Sequence, residues 1–274
     1  MLHKFSYIAP HNREELLELL ADKKSSAKII AGGTDLLVDI RAGNQTPEYL
    51  VDLKNFENYG EINFSIAKGL SIGANVTLIQ LMERGFVNSD YPLIAKAASE
   101  IGSPQLRNRA TAVGNICTAS PASDLAIAFL ALDSSLEISS VRGTRTVHMT
   151  EFFKGVKKTL LADDEIVENI IVPQESSGHK GSMLKMKRIK GHDLAVVSVA
   201  CALVDNKIKF AAGSCSPTPL FIGEFSENEN PEAIVEKTLS LVSPIDDIRA
   251  SAEYRRFMLA EYVVRLFEEV KASK

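Results

Sequence analysis

At 274 residues the chain is one large domain or two modest ones, longer than the ~150 residues a single domain usually takes. With 45% hydrophobic and 24% charged residues, 16 Gly and 10 Pro, the composition excludes disorder, collagen and coiled coil, and a sizeable core is expected. The 31 Lys and Arg against 35 Asp and Glu leave a formal net charge of -4. That excludes an extended nucleic-acid surface, which needs clustered excess cations.

After Pro10, residues 12–21 read as a helix: Asn12 can cap the free backbone N–H groups, Glu15 follows three residues on, and Leu16, Leu17, Leu19 and Leu20 supply an apolar face. In KIIAGGTDLLVDIRAG, residues 28–31 predict a short β-branched strand, Gly32-Gly33 a sharp turn, and residues 34–41 a helical segment. Residues 49–53 and 70–73 predict further strands. Thr77 is placed to cap a helix through Met82, and a second helix spans residues 92–101 from its N-terminal proline. Residues 136–141 and 144–149 form a hairpin across Arg142-Gly143, and residues 165–172 a strand that Pro173 ends. The polar stretch PQESSGHKG at 173–181 reads as a linker. Residues 194–204 and 207–212 then make a hairpin about Asp205-Asn206, and two helices finish the chain. The last, residues 251–271, carries Leu259, Val263, Leu266, Phe267 and Val270 as one apolar stripe.

Two segments concentrate chemistry. Gly32-Gly33, between a strand and a helix, lets backbone amides approach a pyrophosphate with no Cβ in the way, although a plain tight turn uses glycine in the same manner. TAVGNICTASPASDLAIAFLALD at 111–133 crowds Thr111, Asn115, Thr118, Ser120, Ser123 and Asp124 around Gly114. Such a loop suits a bound polar ligand, and equally suits capping of a helix that begins near Ala122. Lys185 sits in MLKMKRIKGHD, which by composition is a solvated basic strand face. Nothing pairs His192 with a nucleophile, so neither it nor Asp193 is assigned acid-base work. Cys117, Cys201 and Cys215 lack C-x-x-C spacing and read as buried free thiols, with no metal site in this chain. The start MLHKFSYIAPHNREE meets proline and charges before any apolar run of signal length, and nowhere do ~18 apolar residues run together. A cytoplasmic protein without a membrane span is expected.

The strings AGGTDLLVDIR and RNRATAVGNICTASPASDLAIAFLALD resemble the flavoprotein subunit of the molybdenum hydroxylases, the family of bacterial xanthine, nicotinate and carbon monoxide dehydrogenases. FSYIAP, SIGANVTLIQL, AAGSCSPTPL and IRASAEYRRFMLAEYVVRL extend the resemblance along the whole chain. It implies an α+β, two-domain flavoprotein: an FAD-binding domain of the vanillyl-alcohol-oxidase type at 1–175, and at 176–274 a smaller C-terminal domain of antiparallel sheet and helices, of the carbon monoxide dehydrogenase type. Carried over by residue, the FAD diphosphate lies against the backbone of Ile29, Ile30, Ala31, Gly32, Gly33, Thr34, Asp35 and Leu36. Ile101 takes an apolar position beside the cofactor, and Thr111, Gly114 and Asn115 form a second contact loop. Asp124 binds cofactor hydroxyls, and Val167 and Lys185 contact the ring end, where a lysine stabilises charge that develops on reduction. The family usually has Gly-Gly-Asn where this chain has Val113-Gly114-Asn115, and a β-branched valine does not take positive φ cheaply.

The same resemblance implies an oxidoreductase subunit without a catalytic acid, base or nucleophile of its own. A large partner subunit carries the molybdenum cofactor, a small one carries two 2Fe-2S clusters, and FAD on this chain collects electrons for an acceptor such as NAD(P). The assembly implied is a dimer of heterotrimers or similar. Three cysteines are too few for even one four-thiolate cluster here. The basic run 180–190 and the charged last helix are expected docking surfaces. Two further readings are a cofactor-free assembly subunit and a self-contained flavin oxidoreductase of the same fold.

Overall fold

The structure is a computed structural model that describes residues 3–272. Its first unit is parallel: β1 (Ser6–Ile8), α1 (Arg13–Lys23), β2 (Ala27–Ile30), α2 (Leu36–Ala42) and β3 (Tyr49–Asp52) build a sheet in the order β1-β3-β2. Parallel neighbours need crossover connections, and α1 and α2 supply them. Asn12 caps α1 by accepting from the Glu15 N–H at 2.8 Å, while the Glu15 carboxylate accepts from the His11 N–H at 2.8 Å. Leu16, Leu17 and Leu20 are buried beneath the helix.

The middle unit begins with the hairpin β4 (Ile62–Ser65) and β5 (Gly69–Gly73). Six short helices follow: α3 (Leu78–Glu83), α4 (Gly85–Asp90), α5 (Pro92–Ser99), α6 (Pro104–Arg107), α7 (Ala112–Cys117) and α8 (Asp124–Ala131). The chain returns through β6 (Ser135–Ser140), β7 (Gly143–His148), α9 (Met149–Phe152), the ribbon β8 (Phe153–Gly155) with β9 (Lys158–Thr159), and β10 (Ile166–Val172). These close an antiparallel sheet in the order β4-β5-β10-β6-β7. Every residue of α8 is buried, so this apolar helix is the axis around which the unit packs.

The last unit is the antiparallel sheet β11 (Lys180–Met186), β12 (Val197–Val204), β13 (Lys207–Gly213) and β14 (Leu220–Ser226), followed by α10 (Pro231–Leu241) and α11 (Ala252–Ala272). Asp205 (φ 49°) and Asn206 (φ 62°) make the left-handed two-residue turn of a tight hairpin. Side chains alternate between the two faces of a strand. Met183, Ala200, Ala202 and Ala211 join the core shared with α5 and α8. Val199, Cys201, Ile208 and Phe210 pack instead with Leu259, Val263, Leu266 and Phe267 of α11. The small alanines allow α8 to lie close to the sheet. Among the described residues no helix is long and apolar enough to cross a membrane.

Most expected elements appear within one or two residues of their expected ends. Not foreseen were β1, β4, the ribbon β8–β9 and the short helices α4, α6, α7 and α9, which carry too few residues for a periodic signal, nor β14, whose alternation is interrupted at Gly223. The polar stretch 173–181 is no free linker. Ser176 donates to the Leu132 carbonyl at 2.9 Å, the Gly178 N–H to the Asp90 carbonyl at 2.8 Å, and Ser176 and His179 are buried. Ser176 and Gly178 thus tie the stretch to α8 and α4, while Gln174 and Glu175 between Pro173 and Ser176 stay exposed. Nor is the run 180–190 one exposed basic face: residues 180–186 form β11, and the Lys185 side chain is buried.

Arg255, on α11, is 1% exposed. Its guanidinium donates to the carbonyls of Val196 and Ser214 and to Asp247 Oδ1 at 2.7 Å, clamping the helix to the sheet. Arg255→Met leaves the buried Val196 and Ser214 carbonyls without their donor and takes from Asp247 one of its two arginines, Arg249 remaining. It is expected to cost about 3–5 kcal/mol in urea unfolding at pH 7; a loss under 1 kcal/mol would show that the clamp does not hold α11.

Candidate functional site

Between the end of β2 and α2 the chain makes a part-exposed turn through residues 31–35, with Gly33 at φ +71°. A Cβ on Gly32 would lie 2.1 Å from the Arg109 carbonyl oxygen, so here the turn touches the 109–110 backbone directly and only glycine fits. The N–H groups of Gly32, Gly33, Thr34, Asp35 and Leu36 donate to no acceptor among the described residues, and the first N–H to close back is that of Leu37, onto Gly33 O at 3.1 Å. Consecutive unpaired amides in a bend form a cradle for an anion. Ile29 and Ile30 lead into this turn from β2, half-buried.

The second loop is pinned beside it. Leu78 N–H donates to Ala110 O at 2.9 Å and Ala112 N–H to Val76 O at 3.0 Å, fixing Thr111 between them. Thr111 then caps α7, its hydroxyl accepting from the Gly114 N–H at 3.1 Å. Val113 is an ordinary helical residue of α7, 5% exposed in the core, and its backbone takes no positive φ. The Thr118 hydroxyl lies 3.2 Å from Asp35 Oδ2 and 3.0 Å from Gly114 O, joining the two loops.

Deeper in, Asp124 opens α8 directly after its cap, Ser123. Lys185 reaches it from β11, with Nζ to Oδ2 at 2.6 Å and side chains only 5% and 4% exposed. Lys185 also donates to the Glu100 carbonyl at 3.0 Å. Burial pushes the Asp124 carboxyl up to about 6 against the opposing pull of Lys185. Asp124 Oδ1 is buried with no hydrogen-bond partner, an acceptor left for a hydroxyl. The half-buried corner at Ile101 is held by Arg107, whose Nη1 donates to the carbonyls of Ile101 at 2.9 Å and Gly102 at 2.8 Å.

The turn 31–36 and the Thr111–Asn115 loop thus form one surface. Asp124 and Lys185 are brought together as one ion pair. Val167 stands on β10 opposite Ile138 and is 2% exposed in the core. Sequence reasoning assigned no role to Arg107, Arg109, Thr118 or Glu100. Only Thr118 carried a signal, as one of the hydroxyls crowded before α8. Unpaired amides, neighbouring hydroxyls and a carboxylate oxygen with a free lone pair fit the diphosphate and hydroxyls of a dinucleotide.

Removing Lys185 leaves a buried carboxylate unpaired and moves it further above the ordinary carboxylate range. A carboxyl raised in the folded state stabilises most at low pH and loses that contribution as pH climbs through the folded value. Lys185→Met is therefore expected to show a deficit that is flat below about pH 6 and grows by up to about 2.7 kcal/mol between pH 6 and pH 8, the limit for one carboxyl. Chemical unfolding of both proteins from pH 5 to 8 measures it; a pH-independent deficit would contradict the pairing.

Residues 3–175 match the family described as FAD binding domain in molybdopterin dehydrogenase. The xanthine dehydrogenase FAD-binding subunit of Escherichia coli O157:H7 is 31% identical over 283 aligned positions, covering 98% of this chain and 96% of that one. The glyceraldehyde dehydrogenase medium chain of Sulfolobus acidocaldarius is 30% identical, covering 97% and 98%. Carbon monoxide dehydrogenase from Hydrogenophaga pseudoflava, solved without the Mo-pyranopterin moiety of its molybdenum cofactor, superposes with a TM-score of 0.91 at 28% identity over 99% of each chain. The matched domain, the full-length relatives and the shared fold together make this chain a member of the FAD-binding subunits of the molybdenum hydroxylase family.

Proposed function

We propose that this chain is the electron-transfer subunit of a molybdenum-containing hydroxylase, accepting electrons from 2Fe-2S clusters on a small partner subunit and delivering them to an acceptor such as NAD(P). A large partner subunit carries the molybdenum cofactor and the substrate, in a dimer of heterotrimers that works in the cytoplasm. The observation that carries the reading is the run of unpaired backbone amides from Gly32 to Leu36 beside the Thr111 loop. When bound, FAD supplies one- and two-electron redox chemistry. The amides of the 32–36 turn hold its diphosphate, with Ile29, Ile30 and Ala31 shaping the approach. Thr111, Gly114 and Asn115 add contacts from the adjoining loop, and Ile101 supplies an apolar wall. Asp124 accepts from a cofactor hydroxyl through Oδ1, and Lys185 keeps that carboxylate ionised while lending positive charge to the ring end, next to the Val167 backbone. The division into an FAD-binding domain at 1–175 and a C-terminal domain at 176–274 is part of the same proposal, supported by the separate core beneath α11.

Two experiments test this. Gly32→Ala forces the two loops apart, since its Cβ would overlap the Arg109 carbonyl, and FAD content should fall more than about tenfold with little change in circular dichroism. Wild-type flavin content in that variant would remove the site. Co-expression with neighbouring reading frames should yield one complex containing molybdenum, iron and acid-extractable FAD. Reduced with substrate, that complex should pass electrons to NAD or NADP, whereas the isolated chain should oxidise no substrate. Steady turnover by the isolated chain would instead make it a self-contained flavoenzyme.

A further inference from the structure

Asn115 and Ser123 lie on opposite sides of the turn that joins α7 to α8, with the Ser123 hydroxyl oxygen 2.6 Å from Asn115 Oδ1. The same oxygen accepts from the Ala126 N–H at 3.1 Å as the cap of α8. A hydroxyl that already accepts from a backbone amide directs its own hydrogen elsewhere, and 2.6 Å is an O–H···O separation, shorter than N–H···O bonds. The Asn115 oxygen therefore faces Ser123, and its NH2 group faces the other way. That NH2 group donates to no acceptor among the described residues, and Asn115 is part-exposed.

A carboxamide is almost symmetric in shape but not in charge. Turned by half a rotation, it would present a carbonyl oxygen instead of two N–H donors. Against a diphosphate the first arrangement repels and the second binds. Ser123 is 3% exposed, and its hydroxyl is already engaged on both sides, donating to Asn115 Oδ1 and accepting from the Ala126 N–H. It is also rigidly held: the Ser123 N–H donates to Ser120 O at 3.1 Å, and the Ala122 N–H to Ser120 Oγ at 3.3 Å.

We propose that Ser123 is a positioning residue that locks the Asn115 carboxamide with its N–H donors toward the FAD diphosphate. This rests on the reading of 111–115 as a cofactor-contact loop. Stripped of flavin, the full-length chain is titrated with FAD as wild type, Asn115→Ala, Ser123→Gly, Ser123→Thr and the Asn115→Ala/Ser123→Gly double variant. Glycine is tolerated at a helix cap, which keeps α8 in place, and threonine keeps a hydroxyl that both accepts and donates. Asn115→Ala should weaken FAD binding about tenfold or more, the size of one hydrogen bond to a charged group. Ser123→Gly should weaken it by about fivefold or more, Ser123→Thr by less than about twofold, and the double variant no further than Asn115→Ala alone. Ser123→Ala enters the same cycle if glycine loosens the turn. Losses that multiply in the double variant would overturn the positioning role while leaving the loop as a cofactor contact. Wild-type affinity in Asn115→Ala would overturn the loop assignment and the proposal with it.

Discussion

Two opposite charges sit 2.6 Å apart with their side chains 5% and 4% exposed, and the seam between the middle unit and the last sheet turns on them. The carboxylate of Asp124 belongs to the fully buried helix α8, the ammonium of Lys185 to the first strand of the last sheet. Removing either charge from water costs several kcal/mol, and neither is tolerable without the other and its additional hydrogen bonds. The pair therefore holds β11 against the start of α8 at one register. The alanines of β12 and β13 complete that contact from the sheet side.

The site stands at this seam. Lys185 takes a second acceptor from the Glu100 carbonyl, at the end of α5, so the corner that carries Ile101 is tied to the same cation. Arg107 holds that corner from the other side through its carbonyls. Asp124 is left with one oxygen saturated by lysine and one with no partner, an asymmetric carboxylate whose free edge is defined by the tertiary structure.

At the opposite wall the constraint is steric. Gly32 and Arg109 approach so closely that no side chain fits between them, and this brings the turn after β2 against the loop before α7 although 77 residues separate the two. Thr118 and Asp35 add a hydrogen bond across the same junction. Small residues and hydroxyls dominate both loops for one reason: the backbone must come near enough to present its own amides, and larger side chains would hold it away.

Much of this was legible from the amino-acid order alone, where the physics is local. The Asn12 cap, the Asp205-Asn206 turn and the stripe from Leu259 to Val270 depend on neighbours within a few residues, and each appears as the order implies. The two glycine-bearing strings likewise marked two segments that pack against each other, because a turn whose backbone meets another backbone directly needs glycine wherever it is folded. The fate of single polar groups was different. Lys185 reads as a solvated cation and residues 173–181 as a linker, yet the side chains of Lys185 and Ser176 are buried and the Gly178 N–H is paired, because their partners Asp124, Leu132 and Asp90 lie between 44 and 88 positions away. Charge and polarity are properties of the residue and can be read from its letter. Whether a polar group meets water or a partner is decided only when distant segments pack, and for Asp124, Lys185 and Asn115 that decision was made by the tertiary structure.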